Sequence, residues 1–200
     1  MARLIIVRHG NTFDKGDTVT RVGGRTDLPL SHSGQAQAAA LARAFSDTHF
    51  VAAFCSPLRR TRETARAMIG MRTGSPALIV LPFLTEVDYG PDENQPEEQV
   101  VARIGDAALA AWEQDAIPPD GWQVDPDALR LGWRNLIVRA SELGPDETVL
   151  IVTSNGIARF LPDVVNSAPD GLDRKLKTGA WGVVELHDDS AHISAWNVRP

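Results

Sequence analysis

The first apolar run of the chain, Leu4-Ile5-Ile6-Val7, stops at Arg8-His9-Gly10, and no other stretch constrains the fold as strongly. A short run rich in β-branched residues, with no polar alternation and a glycine behind it, reads as a strand buried on both faces in a parallel sheet. In open α/β sheets ligands bind in the crevice at the carboxyl edge of the strands. The Arg8-His9 pair is therefore delivered to the edge where chemistry is done. On these residues alone the pair reads equally well as a solvated strand end, with His9 on a backbone carbonyl.

Strand-like and helix-like segments alternate along the rest of the chain. Phe13 to Pro29 has no apolar period and reads as a loop. A helix follows from Ser31 or Ser33, either of which can cap it, through Ala36, Ala39, Ala40 and Leu41 to about Ser46. Phe50 to Cys55 is a second strand, and Pro57 suits the first position of the next helix. In that helix Leu58, Thr61, Ala65 and Met68 share one face and Arg59, Arg62 and Arg66 another; Arg60 belongs to neither row. Leu78 to Leu81 is a third strand, followed by a loop carrying Glu86 and Asp88. Pro96-Glu97-Glu98 suits a helix start, because carboxylates complement the positive end of the helix. Apolar residues from Val100 to Trp112, and again from Leu129 to Leu143, mark two helices expected to pack as a pair over the crevice. Thr148 to Thr153 is a fourth strand, with a short helix expected from Ile157 to Val165, whose N-terminus would offer backbone N–H groups to an anion. Trp181–Leu186 and His192–Trp196, joined by Asp188-Asp189-Ser190, read as a hairpin at the sheet edge.

Composition narrows the partners. A formal charge of -6 argues against general affinity for nucleic acid or an anionic membrane surface, so an anionic ligand must be captured locally. Cys55 is the only cysteine, which excludes an internal disulfide, and Cys55 reads as a small buried hydrophobe. The run from Leu4 is too short for a secretory signal, and no stretch approaches the ~20 apolar residues of a membrane span. A cytoplasmic protein is expected. Two hundred residues suit a single domain, residues 1–200, with a helical insertion at about 91–147.

Four segments, in order, carry a family resemblance. Arg8-His9-Gly10-Asn11-Thr12, the block from Gly24 to Ser31 with Gly34-Gln35-Ala36, Ser56-Pro57-Leu58-Arg59-Arg60-Thr61-Arg62-Glu63-Thr64-Ala65, and Leu84-Thr85-Glu86-Val87-Asp88-Tyr89-Gly90 together resemble the histidine phosphatase superfamily, the phosphoglycerate mutase-like proteins. The resemblance implies a three-layer α/β/α sandwich with a mostly parallel central sheet and the helical insertion over its carboxyl edge.

It also implies a covalent mechanism. His9 is then the nucleophile that becomes a phosphohistidine, and Glu86 the group that protonates the leaving oxygen and activates water. Arg8 and Arg60 are the phosphate clamps, since a guanidinium offers a planar fork of donors. Asn11 stands where a glutamate is common and is expected to orient the loop or meet a phosphate oxygen. Lys15 is open between a phosphate contact and a solvated side chain. No metal or other cofactor is called for, and the expected partner is a small phosphorylated substrate.

One departure stands out. Val152-Thr153-Ser154-Asn155-Gly156-Ile157-Ala158-Arg159 aligns Ser154 with the second histidine of the family. His32, His49, His187 and His192 are read as surface or structural, so none replaces it, and Arg159 is read as structural. Ser154 is expected to bind the substrate phosphate with one hydrogen bond and no charge. Losing a donor in such a site costs on the order of 100-fold to 1,000-fold in rate. Two functions follow: a phosphatase acting through His9 on a small phosphate monoester, or a phosphate-ester-binding or regulatory protein that lacks turnover.

Overall fold

The computed structural model describes residues 1–70, 74–187 and 190–200. Six strands form one sheet: β1 (Ala2–Arg8), β2 (Phe50–Cys55), β3 (Leu78–Val80), β4 (Thr148–Thr153), β5 (Trp181–His187) and β6 (Ser190–Val198), in the order β3-β2-β4-β1-β5-β6. The pairs β1/β4, β2/β4 and β2/β3 are parallel, and the terminal hairpin adds β5 and β6 antiparallel at one edge. Asp188 and Asp189 of the expected hairpin connection lie outside the described residues.

The unalternating runs in β1 and β4 are explained by two separate cores. Leu4 and Ile6, with Val149 and Ile151, face a large core holding Trp112, Trp133 and Phe160. Ile5 and Val7, with Leu150 and Val152, face a second core built with Leu41, Ala65 and Met68. That second core rests on α1 (His32–Ala44) and α2 (Arg59–Ile69), and the first on α3 (Glu97–Asp115) and α4 (Pro126–Ser141). Helices on both faces of a mostly parallel sheet give the expected three-layer α/β architecture.

Several local expectations shift. Ser31 rather than Ser33 caps α1, its hydroxyl accepting from the Gly34 N–H. The cap of α2 is Leu58, so Pro57 stands one residue outside the helix, and the Asp27 carboxylate accepts from the Arg59 N–H instead. The helix after β4 is a single turn, α5 (Asn155–Ala158), followed by a 3-10 turn at Leu161–Asp163. Pro162 has no N–H to give the Ala158 carbonyl, so the expected run to Val165 cannot continue. The two inserted helices do not chiefly pack as a pair. Trp112 of α3 meets Trp122 and Phe160, whereas α4 rests on β1, β5 and the 3-10 turn at Leu161–Asp163. Gly105, at φ +79°, breaks α3 in its middle. Among the described residues no helix is long and apolar enough to cross a membrane.

Candidate active site

The site begins with the register of two parallel strands. Arg8 pairs with Thr153, and the His9 N–H donates to the Thr153 carbonyl at 3.1 Å, so the carboxyl ends of β1 and β4 lie side by side. The chain then turns against α1. A Cβ on Gly10 would stand 2.4 Å from the Gly34 carbonyl oxygen, which is why the strand must end in glycine. The Gly10 N–H is received by the Thr64 hydroxyl of α2 at 3.2 Å.

His9 is buried and held at both ring nitrogens. Nδ1 lies 2.7 Å from the Gly10 carbonyl oxygen, which can only accept, so Nδ1 carries the proton and Nε2 the lone pair. Arg60 Nε donates to Nε2 at 3.2 Å. Burial holds the His9 pKa well below the ordinary imidazole value, and the positive charges of Arg60 and Arg8 lower it further. The ring is thereby kept neutral at physiological pH, with its Nε2 lone pair directed at the Arg60 guanidinium.

Arg60, the arginine outside the solvent-facing row, is fully buried, while Arg59 and Arg66 are exposed. Its Nη1 donates to the Thr26 carbonyl at 2.8 Å and its Nη2 to the Gly23 carbonyl at 3.1 Å. One carboxylate, Glu93, holds that loop in place: its Oε1 accepts from the N–H groups of Gly23 and Arg25 and from the Thr26 hydroxyl, and its Oε2 from the Tyr89 N–H. Arg8 is fixed by a bond from Nη1 to the Leu176 carbonyl at 3.0 Å, and its buried Nε has no partner among the described residues.

Glu86 is buried opposite, on the loop after β3. Its Oε1 accepts from the Val87 N–H at 2.9 Å and its Oε2 from the Gly156 N–H at 3.2 Å. The backbone donor expected to face an anion after β4 is thus occupied by a carboxylate of the protein itself. Gly156 is required there, because a Cβ would lie 2.1 Å from Glu86 Oε1.

These groups line a cavity of about 550 Å³. Arg8, His9, Asn11, Arg60 and Glu86 all face it, so five of the six expected site residues come together. Asn11 orients its loop, its side-chain amide donating to the Ser33 hydroxyl at 3.2 Å. The sixth, Ser154, does not line the cavity; its hydroxyl is buried with no hydrogen-bond partner among the described residues, and Asn155 faces the cavity in its place. Lys15 is exposed and outside the lining; the four other histidines also lie outside it, His32 and His49 exposed and His187 and His192 half-buried. Tyr89 and Asn155, which carry no site signal in the sequence, Trp112, which reads as part of a buried helix face, and Arg159, which reads as structural, all line the cavity. The aromatic residues carried no spacing signal that separates a cavity wall from a core.

The model of the histidine phosphatase superfamily (branch 1) matches residues 4–199 of the chain. The chain belongs to the histidine phosphatase superfamily. Within the superfamily it is 37% identical over 120 residues to fructose-2,6-bisphosphatase TIGAR B of Danio rerio, a match that spans 59% of this chain but only 46% of that protein. It is 30% identical over 176 residues to glucosyl-3-phosphoglycerate phosphatase of Mycobacterium tuberculosis, covering 84% of this chain and 76% of the relative. The native structure of a mycobacterial glucosyl-3-phosphoglycerate phosphatase superposes with a TM-score of 0.78 at 25% identity, covering 99% of both chains. Superfamily membership and the six-stranded sheet agree with the resemblance carried by the four motifs.

Proposed function

We propose that this protein is a phosphatase that hydrolyses a small phosphate monoester through a phosphohistidine on His9. The observation that carries the reading is the two-sided hold on the imidazole: a carbonyl on Nδ1 and a buried guanidinium at Nε2. A neutral, pre-oriented imidazole is a nucleophile once its Nε2 lone pair leaves the Arg60 N–H, which then turns to a phosphoryl oxygen.

In the first step the Nε2 lone pair attacks phosphorus and the P–O bond to the alcohol breaks. The leaving oxygen takes a proton from Glu86. In the second step water attacks phosphorus, gives a proton to Glu86, and the P–N bond breaks to return His9 and inorganic phosphate. Arg60 and Arg8 receive the equatorial oxygens, where positioned charge supplies most of the catalysis in phosphoryl transfer. The relatives whose names denote phosphatases support hydrolysis over a persistent phosphoenzyme.

The test is phosphate release from 4-nitrophenyl phosphate by the wild type and by His9→Ala. Release abolished in the variant supports the reading, and equal release by both overturns it. Tight phosphate binding in a calorimeter with no turnover of any ester would instead favour the binding-protein reading.

A further inference from the structure

Between the arginine clamp and the acid lies an amide that the chemistry above does not use. Ser154, which follows β4, is 0% exposed, whereas Asn155 keeps 9% of its surface exposed and lines the cavity. Ser154 has extended backbone, so the two side chains leave the chain on opposite sides. The hydroxyl turns inward and the amide turns to the cavity.

The Asn155 amide is held in one sense. Its Oδ1 accepts from the Leu176 N–H at 2.9 Å, and because an N–H can only donate, the other branch of the amide is Nδ2. Nδ2 has no hydrogen-bond partner among the described residues. A donor on a side chain this deeply buried is costly unless a ligand or water receives it.

The neighbours of Asn155 indicate which ligand atom does so. The Leu176 carbonyl receives Arg8 Nη1 at 3.0 Å, so one buried residue holds Arg8 and Asn155 together. Gly156, next in the chain, gives its N–H to Glu86 Oε2. Arg8 is paired with Thr153, which places Asn155 just past the strand ends beside His9. Asn155 is thus tied on one side to a phosphate clamp and on the other to the proton donor. We infer that Asn155 Nδ2 donates to an equatorial phosphoryl oxygen, so that a neutral amide one residue along does the work of the second histidine with which Ser154 aligns. This rests on the phosphatase reading above. No proton is transferred; the contact strengthens as negative charge builds on that oxygen while His9 Nε2 attacks.

The experiment uses orthovanadate, which adopts the five-coordinate geometry of a phosphoryl group in transfer, and the full-length isotope-labelled protein. In proton–nitrogen NMR spectra, saturating vanadate should move one of the two Asn155 side-chain amide protons downfield and leave the Leu176 amide proton, bonded to Oδ1 throughout, where it was. The Asn155 pair is assigned by its absence from Asn155→Asp. A pair that does not move overturns the inference. Kinetics with 4-nitrophenyl phosphate give the second reading. Asn155→Ala removes both halves of the amide, whereas Asn155→Asp keeps an acceptor for the Leu176 N–H and loses the donor. Both should lower kcat/KM on the order of 100-fold and weaken vanadate binding with it. An asparagine that only ties down Leu176 would lose activity in Asn155→Ala and regain it in Asn155→Asp. That recovery, or activity near wild type in both variants, overturns the inference. If Asn155→Ala does not fold, the wild-type amide protons and Asn155→Asp decide. If the wild type turns over no ester, the phosphatase reading fails, while the vanadate shift still tests the contact.

Discussion

Arg60 Nε, on α2, donates across 3.2 Å to Nε2 of His9, just past β1 and 51 residues earlier in sequence. The same guanidinium spends its other nitrogens on the carbonyls of Thr26 and Gly23, so one planar group joins the nucleophile to the loop that follows it. Lysine, a point charge on a flexible stem, cannot make three divergent bonds from one plane. Arg60→Lys should lower kcat/KM for phosphate esters by on the order of 100-fold, measured by steady-state phosphate release.

Glu86 and Gly156 form a second long-range pair. Gly156 has no positive φ, so alanine strains no backbone there; its Cβ meets the Glu86 carboxylate instead. Gly156→Ala should displace the proton donor. A good leaving group such as 4-nitrophenolate needs little protonation, whereas an alkoxide needs much. The fall in kcat should therefore be larger for an alkyl phosphate than for 4-nitrophenyl phosphate, and an equal fall for both would count against Glu86 as the acid.

The pKa of His9 is depressed by burial, then by Arg60 and Arg8, which gives a sign for the pH dependence. Above the ordinary imidazole value both folded and unfolded states hold a neutral ring, and the group adds no slope. As pH falls below about 6.5 the unfolded imidazole takes up a proton that the folded one refuses, so stability declines toward the lower folded pKa. Denaturant unfolding at pH 7.5 and 5.5 should show a loss in the wild type that is smaller in His9→Phe. Ring nitrogen shifts should report a neutral His9 at pH 6, and Arg60→Met should move its titration upward.

Ser154 presents no hydroxyl to the cavity, and that hydroxyl has no partner among the described residues. An unsatisfied buried polar group costs about 1–3 kcal/mol. Ser154→Ala should leave thermal stability unchanged or slightly raised and change kcat/KM by less than about one power of ten, far below the loss of an oxyanion donor. A loss on the order of 100-fold would restore Ser154 to the phosphate site.

Much of this site is legible in the sequence because its parts sit at element ends. Arg8 and His9 close an unalternating strand, and Arg60 betrays itself by falling outside both rows of its helix, which burial confirms. What stays hidden depends on pairings that periodicity cannot see. The Gly156 N–H reads as free for an anion until the fold brings Glu86, 70 residues away, against it. Arg159 reads as structural because its place on the cavity wall depends on Trp112, 47 residues earlier, lying beneath it. The short α5 was within reach, since Pro162 removes the N–H that a longer helix needs.

His9 Nε2 is the atom proposed to receive the phosphoryl group. The most direct test is an alkaline quench of enzyme turning over 4-nitrophenyl phosphate, followed by peptide mass spectrometry, with Glu86→Gln used to slow hydrolysis of the intermediate. An acid-labile, base-stable phosphoryl adduct on the His9 peptide, absent in His9→Ala, is the predicted result. Turnover with no adduct at His9 in either protein, or turnover retained by His9→Ala, would contradict it.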